Sequence, residues 1–158
     1  MGKPLLSWDI FTEGYQQLLQ SSRQVRKDLA DIERLARQHK WQQSFEYQPY
    51  LISPRNAIII TNITEHIVWV SHNFEQMTGY TPAEVQHKKP SLLQGENTSS
   101  ETRAQVRQLL ALVSPVQEVQ LLNYKKNGTP YLCSLQIFPI HNKAGQLIHF
   151  IAFETEVG

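Results

Sequence analysis

The spacing of apolar residues changes its period once along this chain, and that change limits what the chain can fold into. From Trp8 to Trp41 the pattern is helical. Tyr15, Leu18, Val25, Leu29, Ile32 and Ala36 follow one another at intervals of 3, 7, 4, 3 and 4, which puts them on one stripe of a helix. In heptads, Leu18, Val25 and Ile32 share one core position, and Tyr15, Ser22, Leu29 and Ala36 share the other. Gln, Arg, Lys, Asp and Glu fill the rest, with Glu33 and Arg37 at the i,i+4 spacing of an ion pair. Neither Gly nor Pro interrupts Tyr15 to His39. The stretch Gln42 to Pro54, with two prolines, then breaks the pattern. The division expected is an arm over 1–41, a linker over 42–56 and a folded domain over 57–158. Two readings of the arm stand at this point. Its stripe packs on the protein's own sheet, or Leu18, Val25, Leu29 and Ile32 meet a second protomer in a homodimer.

Beyond the prolines the pattern becomes strand-like. Ala57 to Thr61 is a β-branched run, and Ile67 to Val70 is a second, separated by the turn-like Asn62 to His66. A short helix from Asn73 to Met77 ends at Gly79. Thr81, Pro82 and Glu84 open another, as N-cap, first helical residue and capping-box partner. Ser100 to Leu112 is a longer helix with Val106, Leu109, Leu110 and Val113 on its apolar side. Strands then follow over Val116–Lys125, Thr129–Ile140 and Gln146–Val157. Lys126-Asn127-Gly128 and Asn142 to Gly145 turn the chain between them, the first through the positive φ angles that Asn-Gly favours. Two strands, short helices and a three-strand meander predict an α+β fold: a five-stranded antiparallel sheet with helices on one face, plus the N-terminal amphipathic helix.

Composition excludes several classes. A hydrophobic fraction of 41% supports one packed core. A net charge of +1 gives no polycationic surface for nucleic acid. No apolar run approaches the roughly 18 residues of a membrane span, and Met1 to Trp8 lacks a signal-peptide pattern. The single cysteine, Cys133, rules out an internal disulfide framework, and the six histidines have no close metal spacing. A cytoplasmic setting fits. No Gly-rich phosphate loop, H-E-x-x-H or G-x-S-x-G is present, so no catalytic role is expected.

The segment from Asn73 through Phe74, Thr78, Gly79, Tyr80, Glu84 and Val85 resembles the PAS pattern F-x-x-x-T-G-Y-x-x-x-E-V. Leu92-Leu93-Gln94-Gly95 resembles the F-L-Q-G of the flavin-binding LOV (light-oxygen-voltage) branch. Gln120 to Tyr131 is similar to its Q-L-L-N-Y-x-K-x-G-x-P-F, and Phe138-Pro139-Ile140, Gly145 and Phe150-Ile151 continue the match. The resemblance covers roughly Ala57 to Val157 and implies a PAS-type sensor and interaction domain. It also implies a set of flavin contacts. Gln94, Arg107 and Asn123 keep the polar residues that the LOV branch uses at those positions. Five positions differ. Pro90 stands where the photoactive cysteine would be, Lys89 replaces an asparagine, and Ser91 replaces a phosphate-binding arginine. Cys133 replaces the second edge-reading asparagine, and Glu154 the switching glutamine. A thiol adduct therefore cannot form at Pro90, and proline there also resembles non-LOV bacterial PAS sensors.

These readings predict a signalling module that transmits ligand or partner binding through its sheet and N-terminal helix, as a homodimer or to a partner protein or output domain. No cofactor is expected on that reading. The alternatives are a cysteine-less sensor of light or redox state holding FMN or FAD, and a structural dimerisation domain with a filled core.

Overall fold

The structure is a computed structural model that describes the backbone of residues 7–158 and the side chains from residue 12 onward. Helix α1 runs Ser7–Gln38, three residues shorter at its end than the apolar pattern predicts. It stops because Lys40 takes a left-handed φ of 54° and turns the chain, while the Trp41 amide bonds back to the Ala36 carbonyl. Strands β1 (Asn56–Asn62) and β2 (Ile67–Val70) follow, then the short helices α2 (Phe74–Thr78) and α3 (Pro82–Val85), then α4 (Ser100–Ala111). Strands β3 (Val116–Tyr124), β4 (Pro130–His141) and β5 (Leu147–Val157) complete the chain.

The sheet order is β2-β1-β5-β4-β3, with every pair antiparallel. The two halves of the sequence therefore join through β1 and β5, strands at opposite ends of the domain. All five residues from Ala57 to Thr61 are buried, so β1 is covered on both faces. This explains why its sequence is a continuous apolar run rather than an alternation. The β3–β4 hairpin forms where Asn127-Gly128 predicts it, but by a different turn. Of its residues only Gly128 has a positive φ, 88°, and the Gly128 amide closes on Lys125 O at 2.8 Å. The turn spans Lys125 to Gly128 and ends in a left-handed glycine, instead of the two-residue form with two positive φ angles.

Two layers cover the sheet. On one face Ile58, Ile60, Ile140, Ile151 and Phe153 pack with Val25 and Ile32 of α1 and with Trp41 and Leu51. The other face carries Ala57, Ile59 and Ile67 under Phe74, Met77, Val85 and Leu93, and farther along Leu121, Cys133 and Leu135 beside α4. Two sequence expectations need correction here. The segment 42–56 is packed rather than a free linker: Leu51 is buried, and Phe45, Tyr47 and Tyr50 lie against Phe153 with ring centroids 4.7–6.5 Å away. The apolar stripe of α1 also divides. Val25 and Ile32 are buried against the protein's own sheet with Leu29 packed beside them, whereas Leu18 is 65% exposed. Three of the four residues expected at a dimer contact are thus used internally.

Polar contacts fix the register of that packing. Buried Asp28 accepts the His72 backbone N–H at 2.8 Å and meets His72 Nδ1 at 2.5 Å. Asp31 accepts from Trp69 Nε1 at 3.3 Å and pairs with Arg34 at 2.7 Å. Among the described residues this is the ion pair within α1, in place of Glu33–Arg37. On the edge of the same layer Trp41 Nε1 donates to His149 Nδ1 at 3.1 Å. Val113 is also corrected: it lies beyond α4 with a φ of 54° and is exposed.

The division of the α1 stripe has a direct test in denaturant unfolding of dilute protein. Ile32→Ala removes a side chain that is 1% exposed and is expected to cost about 2–5 kcal/mol. Leu18→Ala is expected to change stability by less than about 0.5 kcal/mol. Equal losses would contradict the division.

Candidate functional site

The site lies between the sheet and α4, and local sequence shapes both of its walls. Gly79 ends α2 in the left-handed region at φ 82°. Thr81 then caps α3: its hydroxyl accepts from the Glu84 amide at 3.3 Å and donates to the Glu84 carboxylate at 3.2 Å. Lys126 of the β3–β4 hairpin pairs with that carboxylate at 2.8 Å and lowers it from its ordinary value. After α3 a 3-10 turn, Pro90–Leu93, leads to a strap that crosses β3. Gln94 bridges to Asn123 through the backbone, and the Thr98 hydroxyl donates to Leu122 O at 2.6 Å while accepting from the Gly95 amide at 2.9 Å. Gly95 is needed there because a Cβ would stand 2.4 Å from the Tyr124 ring. Ser99 caps α4 by accepting from the Thr102 amide at 3.2 Å, and Arg103 Nη2 ties α4 to Gly95 O at 2.7 Å.

Anchored at the strap, α4 leans on β3 through Val106, Leu109 and Leu110, none of them fully buried. The space left beneath it is a cavity of about 320 Å³, within the range of small-molecule sites. Its floor is Ile59, Leu121, Leu135, Ile137, Phe150 and Ala152 of the sheet. Arg103, Val106, Arg107 and Leu110 form one wall, and Lys89, Pro90, Ser91 and Gln94 form the other. Thr61, Glu65, Asn123 and Glu154 add polar groups. The solvent-exposed members of this lining are Lys89, Ser91 and Arg107, two of them cations, and the acid Glu65 is half-buried.

Seven of the eight positions compared from sequence meet here: Lys89, Pro90, Ser91, Gln94, Arg107, Asn123 and Glu154. Cys133 does not. It is fully buried in the core of the β3–β4 face, with its thiol 3.7 Å from Ser134 O. Burial first, and then the Glu154 carboxyl beside it, push that thiol well up, so it stays protonated. Sequence reasoning missed Arg103, although it lies one helical turn before Arg107 and faces the same way. It also missed Tyr131, which is buried at the β4 end of this face.

Among the described residues four buried polar atoms have no hydrogen-bond partner: Arg103 Nε, Asn123 Oδ1, Tyr131 OH and Glu154 Oε2. Such atoms usually find one, since each left unpaired costs about 1–3 kcal/mol. Three of these residues line the cavity. Burial pushes the Glu154 carboxyl up to about 7, although a hydrogen bond from Cys133 pulls it back. Burial raises the Tyr131 phenol as well. On the arm side, burial lowers the His149 imidazole to about 4. An apolar slot with acceptors and donors at its inner end and cations at its open end suits a flat heteroaromatic ring carrying an anionic tail.

The family described as PAS domain matches residues 55–157 of this chain. Phototropin-1B of Oryza sativa subsp. japonica is 34% identical over 134 residues, which is 85% of this chain and 14% of that protein. The blue-light-activated histidine kinase of Brucella ovis is 32% identical over 91 residues, 58% of this chain and 18% of that protein. The chain therefore spans less than a fifth of the length of these two relatives. Among solved structures, the LOV domain from the Erythrobacter litoralis EL346 blue-light activated histidine kinase superposes with a TM-score of 0.61. That likeness covers 65% of this chain and 95% of that one at 24% identity, and shows the fold.

The buried carboxyl gives the site a pH signature. Glu154 favours its proton in the folded state, so its contribution is complete below about 4.5 and is lost as pH rises through about 7. His149 works in the opposite sense, losing stability as pH falls from about 6.5 through about 4. Glu154→Gln is expected to flatten the alkaline limb between pH 5 and 8, gaining up to about 3 kcal/mol over the parent at pH 8. The acid limb should remain. Parallel profiles for the two proteins would show that Glu154 is not held neutral.

Proposed function

The chain belongs to the PAS domain family, and from that premise we propose that it is a signal-transduction sensor whose cavity holds a flavin, FMN or FAD, without a cysteine adduct. The observation that carries this reading is the pair of unpartnered acceptors, Asn123 Oδ1 and Glu154 Oε2, on residues 3% and 5% exposed at an otherwise apolar cavity. A structural domain with a filled core would have no use for either atom. Bound flavin would supply a ring that absorbs blue light and exchanges electrons. Asn123 and Glu154 would hold its polar edge, and Lys89 and Arg107 its phosphate. The aliphatic floor would exclude water. Pro90 offers no thiol beside the ring, and Cys133 is a protonated core residue outside the lining. The reading assigns the chain no catalysis.

The route outward runs through β5. Ala152 and Glu154 face the cavity, while Ile151 and Phe153 on the same strand belong to the layer that packs with Val25 and Ile32 of α1. A ligand that favours one placement of Glu154 would shift the packing of α1 by its differential contact alone. The recipient would be a partner protein or an output domain. The N-terminal half of α1, where Tyr15 and Leu18 are exposed, supports contact with a second protomer in a homodimer.

Two measurements test these readings. After incubation with excess FMN or FAD and removal of free flavin, the protein is expected to keep flavin absorption in the blue and near ultraviolet. Illumination should give no adduct-type bleaching that recovers thermally through a thiol. A colourless protein after both incubations would reject the flavin. For the homodimer, light scattering is expected to give twice the chain mass for the parent and a single chain mass for Leu18→Glu. An unchanged mass in the variant would remove the arm from the contact.

A further inference from the structure

The carboxyl of Glu154 is buried with one of its oxygens unpartnered: the residue is 5% exposed, its Oε2 has no partner, and it faces a cavity large enough for a ring. The groups around it do not neutralise it. On β4 its register partner is the apolar Leu135, and the titratable groups that feel it, Tyr131 and Cys133, are both kept protonated by burial. On its own strand Glu156 is another acid, already paired with Lys125 at 3.3 Å. Its partner on β1 is Ala57. Across the cavity α4 brings Arg103 and Arg107, the Pro90 turn brings Lys89, and the β1–β2 turn brings Glu65. Among the described residues no ion pair reaches Glu154. Arg103 is committed through Nη2 to Gly95 O.

We propose that Glu154 reads the ligand as a neutral acid: its O–H donates to an acceptor atom on the ring edge while Asn123 Oδ1 accepts from a ring N–H, so that loading the cavity at alkaline pH takes up a proton. A carboxylate at this place offers only acceptors, and Asn123 Oδ1 across β4 accepts as well, whereas the edge of such a ring alternates N–H with carbonyl or ring nitrogen and needs a donor too. A buried, unpaired carboxylate beside such an acceptor would also be strongly unfavourable. Protonation resolves both conflicts at once. It makes occupancy of the cavity depend on pH near neutrality, where burial already holds this carboxyl at about 7. A glutamine would donate at every pH. The acid therefore adds a dependence that an amide lacks. This inference rests on the flavin reading above.

The test is an FMN titration by fluorescence quenching for the parent and Glu154→Gln at pH 7.5 and 8.5, a range in which the FMN phosphate stays ionised. Proton uptake is followed in parallel by calorimetry in buffers of different ionisation enthalpy. The parent is expected to weaken about tenfold over that unit of pH and to take up close to one proton per FMN at pH 8.5. Glu154→Gln is expected to change less than about twofold and to take up none. Binding by the parent that is independent of pH, or that releases a proton, would overturn the inference and leave the flavin reading intact. Binding by the variant alone would overturn it as well, since the neutral acid would then not serve. No binding by either protein would sink the flavin reading and this inference together.

Discussion

The rest of the structure depends on burying β1 and β5 from both sides. These neighbouring strands join the two ends of the domain, and each carries apolar residues on alternate faces: Ile58 and Ile60 toward the arm, Ile59 toward the cavity. Hydrophobic burial is roughly proportional to the area removed from water. A sheet covered on one face only would leave Ile58, Ile60, Ile151 and Phe153 wet. The C-terminal half of α1, with Trp41 and Leu51, removes that surface. The arm is therefore part of the folded unit from about Val25 onward. The polar ties Asp28–His72 and Asp31–Trp69 select one placement for a helix that apolar contact alone would let slide.

The opposite face is finished differently. Near α2 and α3 it is closed by Phe74, Met77, Val85 and Leu93. Near α4 it is left open, because the strap from Gln94 to Thr98 fixes the start of that helix and only Val106, Leu109 and Leu110 reach down. A well-packed interior has few voids larger than a water molecule. A cavity of about 320 Å³ with unpartnered polar atoms is not what packing for stability alone would leave. The same strand, β5, floors this cavity and holds the arm, so an event at Glu154 has a short path to Ile32.

Much of the fold was legible in the sequence where a single local rule decides the outcome. Gly79, the Thr81-Pro82-Glu84 cap and the Asn127-Gly128 hairpin each act within a few residues, and each falls where expected. The α1 stripe was legible as a helix but not in its orientation. A period identifies an apolar face without saying which surface covers it, and α1 uses Val25 and Ile32 at home while Leu18 points outward. Pro90, Gln94, Arg107, Asn123 and Glu154 were placed by resemblance and converge on one cavity. Cys133, aligned by resemblance with a flavin contact, stays outside the lining, because strand alternation sets the face but not the depth. It lies on the cavity side yet beyond the lining. Arg103 was overlooked although its i,i+4 spacing to Arg107 puts both on one face of α4. The state of Glu154 could not be read from sequence, because it depends on how deeply the folded sheet and α4 bury the carboxyl.

The central claim is that the cavity and the arm share β5 and are coupled through it. Hydrogen–deuterium exchange of the full chain, with and without saturating FMN, tests that most directly. The account predicts changed exchange at the α4 and β5 amides and also in α1 between Val25 and Gln38, on the far side of the sheet. Changes confined to α4 and β5, with α1 exchanging identically in both samples, would contradict it.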